Sequence, residues 1–137
     1  MDHTMAESLR RLPIFAACST RDLEAISRLS TTLDIPPGRR LAAEGTPGHE
    51  FVVIRAGTVD VTRNGTKLAE LGPGDYFGEI SLIDGGPRTA TVTAATPVTI
   101  EVVERRDFDS LMEKVPGLPQ RLMMGLAARL REKTDRF

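Results

Sequence analysis

Tryptophan is absent from this 137-residue chain, aromatic residues make up only 4%, and there is a single cysteine beside two histidines. So few aromatics supply poor stacking platforms for single-stranded nucleic acid. Cys18 has no partner for an internal disulfide or a structural metal site, and reads as a small side chain in or near a helix. His3 and His49 fall in unrelated contexts, whereas a metal cupin or a zinc enzyme needs closely grouped ligands. Charge of one sign is also missing: the formal net charge is -1, so no global field draws the chain to nucleic acid or to an anionic membrane. No apolar run reaches transmembrane length. The start, MDHTMAESLRRLPIF, carries charges on both sides of its few apolar residues and has no signal-peptide core, which leads us to expect a cytoplasmic protein. What is present is ordinary globular composition, 40% hydrophobic and 27% charged, at a length suited to one domain.

The pattern along the chain is helical at both ends and strand-rich between. Ser19-Thr20-Arg21-Asp22-Leu23 has the form of a helix start, with Ser19 or Thr20 free to cap and Asp22 in the first turn. Leu23, Ile26 and Leu29 follow at helical spacing. From Leu33 the chain breaks into short apolar units punctuated by Pro36, Pro37, Gly38, Gly45, Pro47 and Gly48. Phe51 to Ile54 and the alternating Val59 and Val61 read as strands, and Asn64-Gly65 as a hairpin turn. TATVTAATPVTIEVVE reads as a further strand pair around a turn at Ala95 to Pro97. Many short antiparallel strands with Gly/Pro turns predict a jelly roll or another closed β architecture. Phe108, Leu111 and Met112 suggest a short helix. Leu122, Leu126 and Leu130 then mark an amphipathic helix of about five turns. Its apolar stripe can cover the β domain, form a dimer seam, or do both. No second helix pair follows, so a helix-turn-helix has no place in this chain, and we expect it to make no direct nucleic acid contact.

The chemistry concentrates in GPGDYFGEISLIDGGPRTA, Gly72 to Ala90. Glycines 72, 74 and 78 permit tight backbone geometry, and Glu79-Ile80-Ser81-Leu82 can begin a helical turn whose free amides would receive an anion. Arg88 can add charge-assisted, bidentate hydrogen bonds to a phosphate, with the Thr89 hydroxyl nearby. Glu79 would repel phosphate but accept from sugar hydroxyls. A ligand carrying both phosphate and sugar uses both charges. On the residues alone the plainer alternative stays open: Glu79 and Arg88 can form a structural salt bridge, with Ser81 and Thr89 acting as local caps or strand surface.

Phe77-Gly78-Glu79-Ile80-Ser81-Leu82 and Pro87-Arg88-Thr89-Ala90-Thr91-Val92 closely resemble the phosphate-binding cassette of cyclic nucleotide-binding domains, in the catabolite activator and protein kinase A regulatory-subunit superfamily. The resemblance runs from LPIFAACSTRDLEAIS through FVVIRAGTVDV and LGPGDYFGE to FDSLMEK and the C-terminal helix. It implies a mainly β, double-stranded β-helix fold with flanking helices. The domain would cover 10–137, with a β-roll over about 33–104, C-terminal lid or dimer helices over about 106–135, and residues 1–9 as a tail.

The resemblance further implies that Arg88 pairs with a cyclic phosphate, helped by Thr89 and by the backbone amides of the cassette helix. Ile80 and Ser81 would contribute main-chain groups and packing, and Gly78 would let the ligand come close. Glu79 would hold the ribose 2′-hydroxyl. Val61 and Leu71 would line the base pocket, and Thr134 on the long helix would meet the base edge. The ligand implied is cAMP in preference to cGMP, the latter being the alternative that Thr89 keeps open. Binding without catalysis is expected, since no nucleophile-base-acid arrangement accompanies the cassette. The chain would be either a free-standing sensor or the regulatory part of a larger transcription regulator, channel or enzyme. A ligand-free oligomerisation module is the remaining alternative, and a homodimer through the C-terminal helix fits either reading.

Overall fold

The computed structural model of the protein describes residues 3–78 and 85–134. These form two compact units: Ser30–Arg105, whose described elements are strands, and a helical unit made from the chain on either side of it.

In the β unit, eight described strands form two antiparallel sheets. They are β1 (Thr31–Ile35), β2 (Arg40–Ala42), β3 (Glu50–Ala56), β4 (Val59–Arg63), β5 (Thr66–Leu71), β6 (Tyr76–Phe77), β7 (Thr91–Ala94) and β8 (Val98–Glu104). One sheet runs β1-β8-β3-β6 and the other β2-β7-β4-β5. Alternation dictates the core: Val52 and Ile54 on β3 and Val98, Ile100 and Val102 on β8 project inward from one sheet. Ala42, Val59, Val92 and Ala94 meet them from the other. The result is the two-sheet roll that the turn-rich pattern predicts.

Asn64 and Gly65, at φ 51 and 80, make the two-residue turn that joins β4 to β5, with Arg63 opposite Thr66. The predicted pairing around Ala95 to Pro97 is different. The segments on either side of that turn are β7 and β8, and they enter opposite sheets instead of pairing with each other. The amides of Ala95 and Thr96 both donate to the carbonyl of Thr58, at 3.0 and 3.4 Å, and Pro97 has no amide to continue a ladder. The chain therefore turns a corner between sheets.

The opposite side of β8 carries a polar knot. Glu101, only 7% exposed, accepts from the hydroxyls of Ser30 at 3.0 Å and Thr32 at 2.7 Å, with Arg55 3.8 Å away. Those partners satisfy the buried carboxylate.

The helical unit holds α1 (His3–Arg10), a 3-10 turn (Pro13–Phe15), α2 (Thr20–Arg28), α3 (Arg105–Lys114) and α4 (Leu118–Thr134). Much of the stretch read as a tail is thus a helix, with Met5 and Leu9 on one face and nearly inaccessible to water. Their i, i+4 spacing gives α1 an apolar stripe, and α1 lies against α2. Ser19 caps α2 as expected. Its Oγ accepts from the Asp22 amide at 3.1 Å, while the Asp22 carboxylate accepts from the Ser19 amide at 3.0 Å.

Asp22 is also gripped from α4. Arg121 donates from Nε to Oδ2 at 2.6 Å and from Nη2 to Oδ1 at 3.0 Å. Burial alone would raise the Asp22 pKa, but the hydrogen bonds from Arg121 and Ser19 outweigh it and hold the carboxyl below its ordinary 3.8. Cys18 is buried beside this pair. Desolvation, reinforced by the Asp22 charge, pushes its thiol up to about 11. The apolar stripe of α4 is uneven: Leu118 and Leu122 are buried, whereas Leu130, Met123 and Met124 are more than half exposed.

Candidate functional site

Among the described residues, Arg88 is the one buried arginine, at 7% exposure. Its main chain is pinned to the turn after β2: the Arg88 amide donates to the Thr46 carbonyl at 2.8 Å, and its carbonyl accepts from the Gly45 amide at 2.9 Å. Pro87 bridges to Pro47 in the same register. The proline- and glycine-rich turn read from the sequence is thus the clamp that fixes this backbone. The Arg88 side chain donates from Nη1 to the Glu50 carbonyl at 3.0 Å, and its guanidinium lies over the Phe77 ring, 5.9 Å from the centroid.

This guanidinium borders a pocket of about 210 Å³ within the β unit. Val61 from β4, Ala69 and Leu71 from β5, and Ala42 and Val92 from the neighbouring strands make its apolar wall. Tyr76, Phe77, Gly78, Arg88, Thr89 and Ala90 make the remainder. The wall follows from strand register, since Val61 sits opposite both Ala69 on β5 and Val92 on β7. Small side chains on the same face of adjacent strands leave the space. The bend at Thr89, just before β7, is tied in place by Arg63, whose Nε donates to the Thr89 carbonyl at 2.9 Å. Chemically, the pocket offers an apolar wall for a ring and a held cation for an anion, so it suits a molecule that carries both.

Of the residues singled out from the sequence, Val61, Leu71, Gly78, Arg88 and Thr89 all line this pocket. Glu79, Ile80 and Ser81 lie outside the described residues. Thr134 is the last residue of α4, in the helical unit. The sequence reading missed Ala42, Ala69, Tyr76, Phe77, Ala90 and Val92. Strand alternation through Val61 and Leu71 could have found Ala69. Ala42 and Val92 depend on which strands become neighbours.

Two antiparallel sheets carrying an apolar pocket with a buried arginine make a β-roll suited to a small ligand. Residues 32–115 match the cyclic nucleotide-binding domain, and the chain belongs to that family. The CRP-like cAMP-activated global transcriptional regulator of Mycobacterium tuberculosis is 33% identical over 96% of this chain. Acetyltransferase Pat of Mycolicibacterium smegmatis is 35% identical over 86% of it. The chain spans only 61% of the first relative and 36% of the second. Among solved structures, the N-terminal domain of a transcriptional regulator from Streptomyces coelicolor A3(2) superposes with a TM-score of 0.85 at 32% identity, covering 95% of this chain and 94% of that one. Among the described residues, no helix is long and apolar enough to cross a membrane.

Proposed function

We propose that this chain is a sensory domain that binds cAMP in the Arg88 pocket and passes occupancy on through its C-terminal helices. The observation that carries the reading is Arg88 itself, a buried cation beside a mainly apolar pocket. The cyclic phosphate takes the guanidinium fork and the Thr89 hydroxyl, with main-chain groups of Ile80 and Ser81 beside it and Gly78 letting the ligand come close. Glu79 accepts the ribose 2′-hydroxyl. The purine lies along Val61 and Leu71, and Thr134 contacts its edge. Binding is the whole activity of the domain, and no step of catalysis is assigned to it.

The choice of cAMP is supported by the relative named as cAMP-activated, which matches nearly the full length of this chain. Thr89, in the pocket lining, favours cGMP as the second reading, because its hydroxyl offers a partner to a more polar purine edge. Ligand capture repacks α3 and α4, and the exposed Met123, Met124 and Leu130 of α4 supply the apolar face of a homodimer. The domain, taken as residues 10–137, contacts no nucleic acid itself and acts on an output module. The two relatives are named for different functions, a transcriptional regulator and an acetyltransferase, and the chain spans only 61% and 36% of their lengths, which supports a portable sensor.

Calorimetric titration with cAMP, cGMP and 5′-AMP tests the proposal. Saturable binding of cAMP, weaker binding of cGMP and none of AMP is expected. Equal binding of all three would leave a general phosphate site, and no binding of either cyclic nucleotide would end the proposal.

A further inference from the structure

A β-carbon placed on Gly78 would stand 2.4 Å from Arg88 Nη1 and 2.4 Å from the Glu50 carbonyl oxygen. These two atoms are the donor and acceptor of the 3.0 Å hydrogen bond that holds the Arg88 side chain. The space that glycine leaves open is therefore already filled by protein. Gly78 also sits at φ +93, where a side chain is strained in any case. Beside it, the Phe77 ring faces the same guanidinium at 5.9 Å, within the roughly 6 Å over which a ring face attracts a cation. Because Arg88 is only 7% exposed, water screens that attraction little. Phe77 is placed in turn by β6, where it pairs with Val52 on β3, two residues beyond Glu50.

We propose that Phe77 and Gly78 are positioning residues that hold the Arg88 guanidinium in its receiving orientation before any ligand arrives. Gly78 makes room for the Arg88–Glu50 bond, and Phe77 offers the planar face on which the guanidinium rests. The role assigned to Gly78 changes with this: its missing side chain accommodates the protein's own arginine as well as the approach of a ligand. A preset cation does not have to be ordered during binding, so more of the interaction appears as affinity. This inference rests on reading Arg88 as the phosphate receiver, and its test has an arm that does not.

In the first arm, the Nε–H resonance of Arg88 is followed by NMR in ligand-free protein. A dispersed signal in slow exchange with water is expected in the parent and in Phe77→Tyr. Phe77→Leu and Gly78→Ala should shift that signal and speed its exchange. An Arg88 signal as mobile in the parent as that of an exposed arginine overturns the proposal whether or not any nucleotide binds. In the second arm, cAMP affinity is measured in a double-mutant cycle. Phe77→Leu should weaken binding about three- to tenfold, and Phe77→Tyr should restore it. In an Arg88→Ala background, Phe77→Leu should cost less than about twofold. The same loss in both backgrounds would mean that Phe77 acts without Arg88, and the proposal would fall. Urea midpoints establish that each variant is folded. If the parent binds no cyclic nucleotide, the functional reading fails on its own, and the first arm alone decides the cradle.

Discussion

Replacing Asp22 with asparagine removes the charge from a carboxylate that is 4% exposed and accepts two bonds from Arg121. Asparagine keeps one oxygen for the Ser19 amide, so much of the α2 cap survives, but the paired acceptor that matches a guanidinium fork is lost. A buried charge-assisted hydrogen bond contributes about 1.5–3 kcal/mol, and the 30% exposure of the Arg121 side chain brings screening with it. The expected loss from Asp22→Asn is therefore about 2 kcal/mol at neutral pH. The sign of the pH dependence follows from the lowered folded-state pKa. Stabilisation is fully present above the ordinary value of 3.8 and is lost as pH falls from there through the lower folded value. The parent's advantage should thus be level from neutral pH down to about pH 5 and narrow in stronger acid. Urea unfolding followed by far-UV circular dichroism measures it, since the chain has no tryptophan to report. A loss below about 0.5 kcal/mol, the usual range of a surface change, would refute the reasoning. So would a difference that stays the same in acid.

The Cys18 thiol, raised to about 11, should be about one part in a thousand thiolate at pH 8. Iodoacetamide should then label the native protein at least about a hundredfold more slowly than the urea-unfolded chain, and comparable rates would contradict its burial. Gly57, at φ +83, has the Pro97 carbonyl oxygen 2.1 Å from the position a β-carbon would take, at the corner where the chain changes sheets. Gly57→Ala should cost about 3 kcal/mol or more by urea unfolding, and a loss under about 1 kcal/mol would mean that the corner yields easily.

Local chemistry was readable in the amino acids, and distant pairing was not. The Ser19 to Asp22 cap and the Asn64-Gly65 turn each depend on residues within three positions of one another, so their residue types announce them. The partition of β7 and β8 into separate sheets depends on β2 and β4 for one and on β1 and β3 for the other. Alternation within a strand carries no record of its neighbours. Asp22 and Arg121 lie 99 positions apart, and nothing near either one points to the other. Helix α1 was read as a tail: Met5 and Leu9 hold helical spacing, but their charged surroundings dilute it.

At the pocket, Arg88 was found through its motif, and Val61 and Leu71 through the family pattern. The contact of Phe77 with Arg88 was hidden, since an aromatic residue next to a glycine reads equally well as core. Only the folded chain shows that the Gly78 vacancy is occupied by the arginine's own hydrogen bond.

The central claim is that Arg88 receives the phosphate of a cyclic nucleotide. Calorimetric titration of the parent and of Arg88→Ala with cAMP, side by side, tests it most directly. Saturable binding by the parent and a ten- to hundredfold weaker affinity in the variant, about 1.5–3 kcal/mol for a lost charge-assisted contact, is the predicted result. An Arg88→Ala protein that binds cAMP as tightly as the parent would contradict it.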